Sequence, residues 1–328
     1  MAKVDNKGMV RGTAGSVVYR GYRGMNIIQG KPRKFKQTSK TVRASTEFGL
    51  SSTTAAVIRN AFQPAYVHRD GEAVSRSTQL VYRGIRGSLT GSVGQRDLHD
   101  ADLNSIIGMD FNIKSRMSEV LKVSQRIERD EQGRISVFMG TLNAKTDLRV
   151  PQSISKAVSK YRIRFSLIGF NFRQEYFEYL EVKDVEVRKH GQLEAQEIRF
   201  ETQPEGDQLL MLSVSLLAYS ETRMEEGYVL LNSKEFSPCA IIAAYAAEEP
   251  GEYPAGPVNM ELSEAQQTRG GSIYNMCYEG NRLLRDWERK KAKITTKTTV
   301  TATKKRAEKD GDKVHFQVGK RVSFSSKP

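Results

Sequence analysis

Few residues in this chain stand at spacings that do chemistry. His68-Arg69-Asp70 matches the opening of a phosphoryl-transfer catalytic loop, in which the Asp takes a proton from the attacking hydroxyl. The residues that follow, Gly71-Glu72-Ala73-Val74, bring no downstream Asn, and no glycine-rich phosphate cover with its partner Lys is present. Gly12-Thr13-Ala14-Gly15-Ser16 lacks the six-residue frame and the Lys-Ser/Thr end of a P-loop. The four histidines, at 68, 99, 190 and 315, form no pair three or four residues apart, the spacing that places two zinc ligands on one helical face. His99, Asp100 and Asp102 read as a solvated turn, as do Glu225-Glu226 and Glu248-Glu249. Cys239 and Cys277 are too few for a disulfide framework or a metal cluster, and both read as buried, reduced thiols. The sequence therefore predicts no catalytic residue, no cofactor and no metal ligand.

What remains is contact chemistry. Arg11, Arg20, Arg23, Lys31, Arg33, Lys34 and Lys36 are interleaved with Tyr19, Tyr22 and Phe35, and Lys304, Lys305 and Arg306 repeat the charge near the other end. Cations set among aromatic rings suit phosphate contacts with base stacking, or acidic loops of a protein partner. Residues 1–50 hold eleven Lys or Arg against two acids, +9, and residues 281–328 hold fifteen against five, +10. Within a net charge of +14 the middle, 51–280, is therefore −5. Two basic ends around an acidic middle fit a polyanion, or equally a second copy of the chain.

The elements that must position these residues follow from periodicity. Glycines at 8, 12, 15, 21, 24 and 30 punctuate Val17–Tyr19 and Met25–Ile28, predicting a basic β-hairpin arm over 1–40 that cannot stand alone. Lys31-Pro32 opens an extended, like-charged segment. Phe48, Ala55, Ile58 and Phe62, then Val74, Thr78, Val81 and Ile85, predict a helical hairpin over 41–107 as a cover for that arm. Leu80–Gly87 echoes Val17–Gly24, two copies being too few for a repeat architecture. Residues 108–247 read as a β-sandwich body, clearest over 151–247, where strands are expected at Lys160–Phe172, Phe177–Arg188, Ala195–Glu201, Leu209–Tyr219, Gly227–Asn232 and Cys239–Tyr245. A Pro/Gly linker (248–271) leads to a helix from Ser272 to about Lys291 carrying Trp287, the one Trp of the chain, and to a basic hairpin tail, together 272–328. The fold class expected is mainly β with a few helices (α+β), with an antiparallel immunoglobulin-like body.

Gly15-Ser16-Val17-Val18 through Arg23-Gly24-Met25-Asn26-Ile27-Ile28, then Lys31-Pro32 and the helix holding Arg43 and Phe48, resemble the start of a set of uncharacterised bacterial proteins. Those proteins open with a glycine-rich strand pair, a Lys-Pro arm and a helix, followed by β-domains. The resemblance implies this order of elements and carries no activity.

The sequence predicts a non-enzymatic structural subunit that builds a filament, tube, sheath or virion component from copies of itself by exchanging terminal strands. Arg11, Tyr19, Arg20, Tyr22, Arg23, Lys31, Arg33, Lys34, Lys36, Trp287, Lys304, Lys305 and Arg306 would make the contacts. A nucleic-acid-binding protein is the alternative. No run of apolar residues long enough to span a bilayer and no leader-like start are seen, so synthesis in the cytoplasm without a signal peptide or membrane insertion is expected. The final location, in a particle or an extracellular filament, is left open.

Overall fold

The computed structural model describes residues 2–6, 8–22, 24–31, 38–222, 227–249 and 273–289. The chain divides into two compact units, Met1–Val42 and Arg43–Pro328. It is mainly β with a few helices.

The first unit is a four-stranded antiparallel meander, β1 (Lys3–Val4), β2 (Val10–Ala14), β3 (Val17–Tyr22) and β4 (Met25–Gly30), in that order across the sheet. The expected hairpin is thus the second half of a larger sheet. Ala14 faces Val17 across a two-residue loop that opens with Gly15 at φ 59°, the left-handed position such a loop requires. Among the described residues of this sheet none is buried.

The second unit is built on two long strands, β8 (Lys160–Asn171) and β12 (Leu209–Glu221), paired antiparallel from Leu209–Phe170 to Tyr219–Lys160. Its chain order begins with α1 (Ser39–Ala61, starting in the first unit), α2 (Ala73–Gly87) and the single turn α3 (Met117–Val120). There follow β5 (Gln125–Arg129), β6 (Ile135–Met139), β7 (Leu142–Asn143) and α4 (Gln152–Ala157). After β8 come β9 (Tyr176–Arg188), β10 (Gln192–Leu193) and β11 (Gln196–Arg199). After β12 come β13 (Tyr228–Leu230), β14 (Cys239–Tyr245), β15 (Ile273–Asn275) and a last helix, α5 (280–289). β8 pairs with β9, β9 with β15, and β12 with β13 and β14, so the main sheet has six strands. A three-stranded sheet, β11-β6-β5, lies apart from it.

The main sheet changes its covered face along its length. Tyr161, Ile163, Phe165 and Leu167 pack with Leu212, Val214 and Leu216 against Ile135, Val137, Met139 and Ile198 of the smaller sheet. Beyond Leu167 the opposite face takes over. Ile168, Phe170, Phe172, Leu209 and Met211 pack against Leu50, Ile58, Phe62, Val81 and Ile85 of α1 and α2. Phe62 lies 6.1 Å from Phe170 and 5.7 Å from Phe111, ring centre to ring centre. The register shift in β9 opposite Leu167/Ile168 inserts Leu180, which lets β9 follow the change. A long run apolar on alternating and then on both sides is what burial on two faces demands. The body is therefore one sheet between a smaller sheet and a helical layer, and no immunoglobulin-like topology is established.

Two expectations are corrected here. The helical hairpin spends its apolar face on the main sheet, and Phe48, expected on that face, is 57% exposed. Ser51 and Thr54 of the same helix are buried: Ser51 Oγ donates to the Glu47 carbonyl at 2.7 Å and Thr54 Oγ1 meets the Tyr278 hydroxyl at 3.2 Å. Bonding back to its own helix satisfies a Ser that has no water. Further on, Ile273–Asn275 is a strand beside β9, with Tyr274 stacked 5.4 Å from Phe177, and the helix begins only at 280. Between them Met276 and Tyr278 point inward and Cys277 outward, so Cys277 is exposed while Cys239 is buried as expected. Ser272, where that helix was expected to start, the linker over 250–271 and the hairpin tail lie outside the described residues.

Candidate assembly interface

The basic and aromatic residues singled out from the sequence fall into three groups. Arg11 is on β2, Tyr19, Arg20 and Tyr22 are on β3, and Lys31 follows β4, its N–H donating to the Ser16 carbonyl at 2.6 Å. Trp287 is on α5. Arg23, Arg33, Lys34, Lys36, Lys304, Lys305 and Arg306 lie outside the described residues.

Within the N-terminal sheet, register brings Tyr19 opposite Ile28, Arg20 opposite Ile27 and Tyr22 opposite Met25. Arg11 pairs with Asp5 at 3.1 Å and its guanidinium lies over Gly21. Val4, Tyr22, Met25 and Ile28 are 67, 48, 59 and 65% exposed. β4 pairs with β3 on one side and has no strand on the other among the described residues. β9 is also open, since β15 accompanies it only along Tyr176–Glu178. Such edges present main-chain N–H and C=O groups to any strand that approaches.

Trp287 stands elsewhere and is 2% exposed, with the Arg43 guanidinium 5.8 Å above its ring. A ring buried against its own chain is not offered to a partner. Asn281, which periodicity did not mark, anchors the same helix by donating from Nδ2 to the carbonyls of Phe172 and Arg173 at 3.0 and 2.9 Å.

The motifs with catalytic overtones turn out to be braces. Asp70 accepts from both guanidinium nitrogens of Arg76, at 3.2 and 2.6 Å, and from the N–H groups of Glu72 and Ile113. Burial alone raises its pKa, but Arg76 and the two backbone donors outweigh it and hold the carboxyl at about 2. With every lone-pair direction engaged, it has no free oxygen for a substrate proton. Asp97 and Asp100 share Arg173, with Asp97 Oδ2 2.9 Å from Nε. Burial first, and then the neighbouring Asp97, raise the Asp100 pKa. His99 accepts at Nε2 from the Phe172 N–H at 3.2 Å, and its burial depresses the pKa to about 4, so the ring is neutral at pH 7. His99 and Asp100 are thus not the solvated turn the sequence suggested, whereas Asp102, which accepts from the Asn104 N–H at 3.0 Å, is exposed as expected.

Opposite the face that packs on the smaller sheet, Lys160, Arg162 and Arg164 of β8 pair with Glu186 and Asp184 of β9 at 2.6 to 2.9 Å. Among the described residues no three or more His, Cys, Asp or Glu side chains gather as a metal site, and no helix is long and apolar enough to cross a membrane. No family model, no curated protein and no solved structure matches the chain.

Proposed function

We propose that the chain is a non-enzymatic structural subunit that assembles with copies of itself into a filament, tube, sheath or other particle. The observation that carries this reading is a four-stranded sheet with no buried residue among those described, apolar side chains in solvent and a six-residue open edge. Strands gain independent stability by covering a hydrophobic face, and this sheet has none covered. In the proposed mechanism β4 of one copy adds to an open edge of the next, the 182–188 stretch of β9 being one of suitable length. Main-chain hydrogen bonds supply affinity and the alternate side chains Met25, Ile27 and Gln29 or Asn26 and Ile28 supply selectivity. A contact between two different patches is heterologous, and when its rotation does not close it grows into an open polymer.

Removing residues 1–37 keeps Thr38, whose Oγ1 accepts from the Thr41 N–H at the start of α1. By light scattering and negative-stain microscopy the full chain is expected as a large species and the truncated chain as a folded monomer. A truncated chain that still forms the large species, or a full chain that stays monomeric when concentrated, refutes the reading.

A second reading, nucleic-acid binding, is favoured by Arg20 and Tyr22 lying exposed on β3. It requires affinity to fall by orders of magnitude between low and moderate salt for roughly 6 to 10 phosphate contacts. A flat salt response removes it.

A further inference from the structure

The second unit holds a cleft of about 610 Å³ that the assembly reading does not use. Its walls come from residues 114–120, from 144–155, from Tyr161 with Lys189 and His190 at the paired ends of β8 and β9, and from Glu235-Phe236. These segments are stitched together by their own backbones. The Ala144 N–H donates to the Gly191 carbonyl at 3.0 Å, Arg149 to Val120 at 2.8 Å and Lys189 to Ser159 at 2.9 Å, and the Ser237 N–H donates to Ser115 Oγ at 2.9 Å. The cleft is therefore formed in advance of any ligand, and its volume falls within the usual span of small-molecule sites.

Its charge is one-sided where it counts. Lys114, Lys145, Arg149 and Lys189 line it against Glu119 and Glu235, and Glu235 is taken up by Lys114 at 2.6 Å. Lys145 and Arg149 have no carboxylate partner among the described residues. Lys145 is held on a turn in which its N–H donates to Asn143 Oδ1 at 3.0 Å, and the nearby Asp147 carboxylate is committed to the Asn143 N–H at 2.7 Å and to the Thr146 hydroxyl. Val150 and Pro151, half-buried and exposed, add apolar surface to the same lining. A guanidinium and an ammonium in one lining suit a planar carboxylate or a phosphate, and the apolar surface suits a hydrocarbon body.

We propose that this cleft binds a small organic anion, its phosphate or carboxylate head held by Lys145 and Arg149 and its apolar body on Val150 and Pro151. Calorimetric titration of the full chain with phenyl phosphate, with isophthalate and with inorganic phosphate, all at one ionic strength, tests it. At least one aryl anion should bind saturably and at least tenfold more tightly than inorganic phosphate. Binding should weaken at least tenfold in the double variant Lys145→Ala/Arg149→Ala and stay unchanged in Arg126→Ala, which removes an exposed cation elsewhere. Both altered residues are exposed and unpaired, so an unchanged melting temperature shows that the double variant is folded. A response to phenyl phosphate alone assigns a phosphate head, and a response to isophthalate alone assigns a carboxylate head. The proposal is overturned if neither aryl anion saturates, if inorganic phosphate binds as tightly as both, or if the double variant binds undiminished.

Discussion

His99 and Asp70 were the residues nearest to catalytic spacing, and both store stability instead. The His99 ring takes a proton at about 4 when folded and near 6.5 when unfolded. Between those values the unfolded chain holds the extra proton, so stability falls as the pH drops from 6.5 toward 4, by about 3 kcal/mol in all. His99→Gln keeps an acceptor for the Phe172 N–H, and its urea-unfolding free energy should lose that slope. Asp70 works in the lower window. Its folded value of about 2 lies below the ordinary Asp value of 3.8, so its contribution is present above 3.8 and lost as the pH falls to 2. Asp70→Asn should cost about 2 kcal/mol at pH 7 and little at pH 2, read from the same denaturation curves. Gly84 is set by space, because a Cβ there would meet Ser105 Oγ at 2.6 Å and the Asp102 carbonyl at 2.8 Å. Its counterpart in the sequence echo, Gly21, sits in an open strand under Arg11. The two Arg-Gly stretches thus serve unrelated ends.

At the level of elements, the strands were the legible part. Alternation along β8 puts Tyr161, Ile163, Phe165 and Leu167 on one face and the arginines on the other, as the packing has them, and β14 falls on Cys239–Tyr245 as expected. What alternation could not show is that the buried side changes after Leu167, because that depends on α1 arriving from more than a hundred residues away. The burial of α1 escapes a pattern of polar and apolar residues for a related reason: Ser and Thr vanish into a core when their own helix accepts their hydroxyls. The cations of the cleft come from separate segments and leave no local pattern at all. The C-terminal helix was correctly expected but begun too early, since Ile273-Tyr274 has the composition of a strand and β9 had an edge to give it. Trp287→Ala should cost roughly 3 to 5 kcal/mol and lower the melting temperature without abolishing assembly. Ile28→Lys, on the open strand, should do the reverse, leaving melting unchanged and shifting sedimentation toward monomer.

For the whole molecule, charge and architecture divide the work. A net charge of +14 is concentrated at the two ends, while the middle supplies the packed body. In the assembly reading, moderate salt should weaken association by screening basic-to-acidic contacts within about 8 to 10 Å while leaving the main-chain pairing intact. Sedimentation at two salt concentrations should therefore show smaller polymers and never complete dissociation. The alternating allegiance of β8 and β12 has one more consequence. Since the same two strands serve as backing for the helical layer at one end and for the small sheet at the other, neither layer has a platform of its own to keep once its neighbour is lost. Heating should melt the packed body in one calorimetric peak, and an amino-acid deletion in β8 should extinguish both halves together.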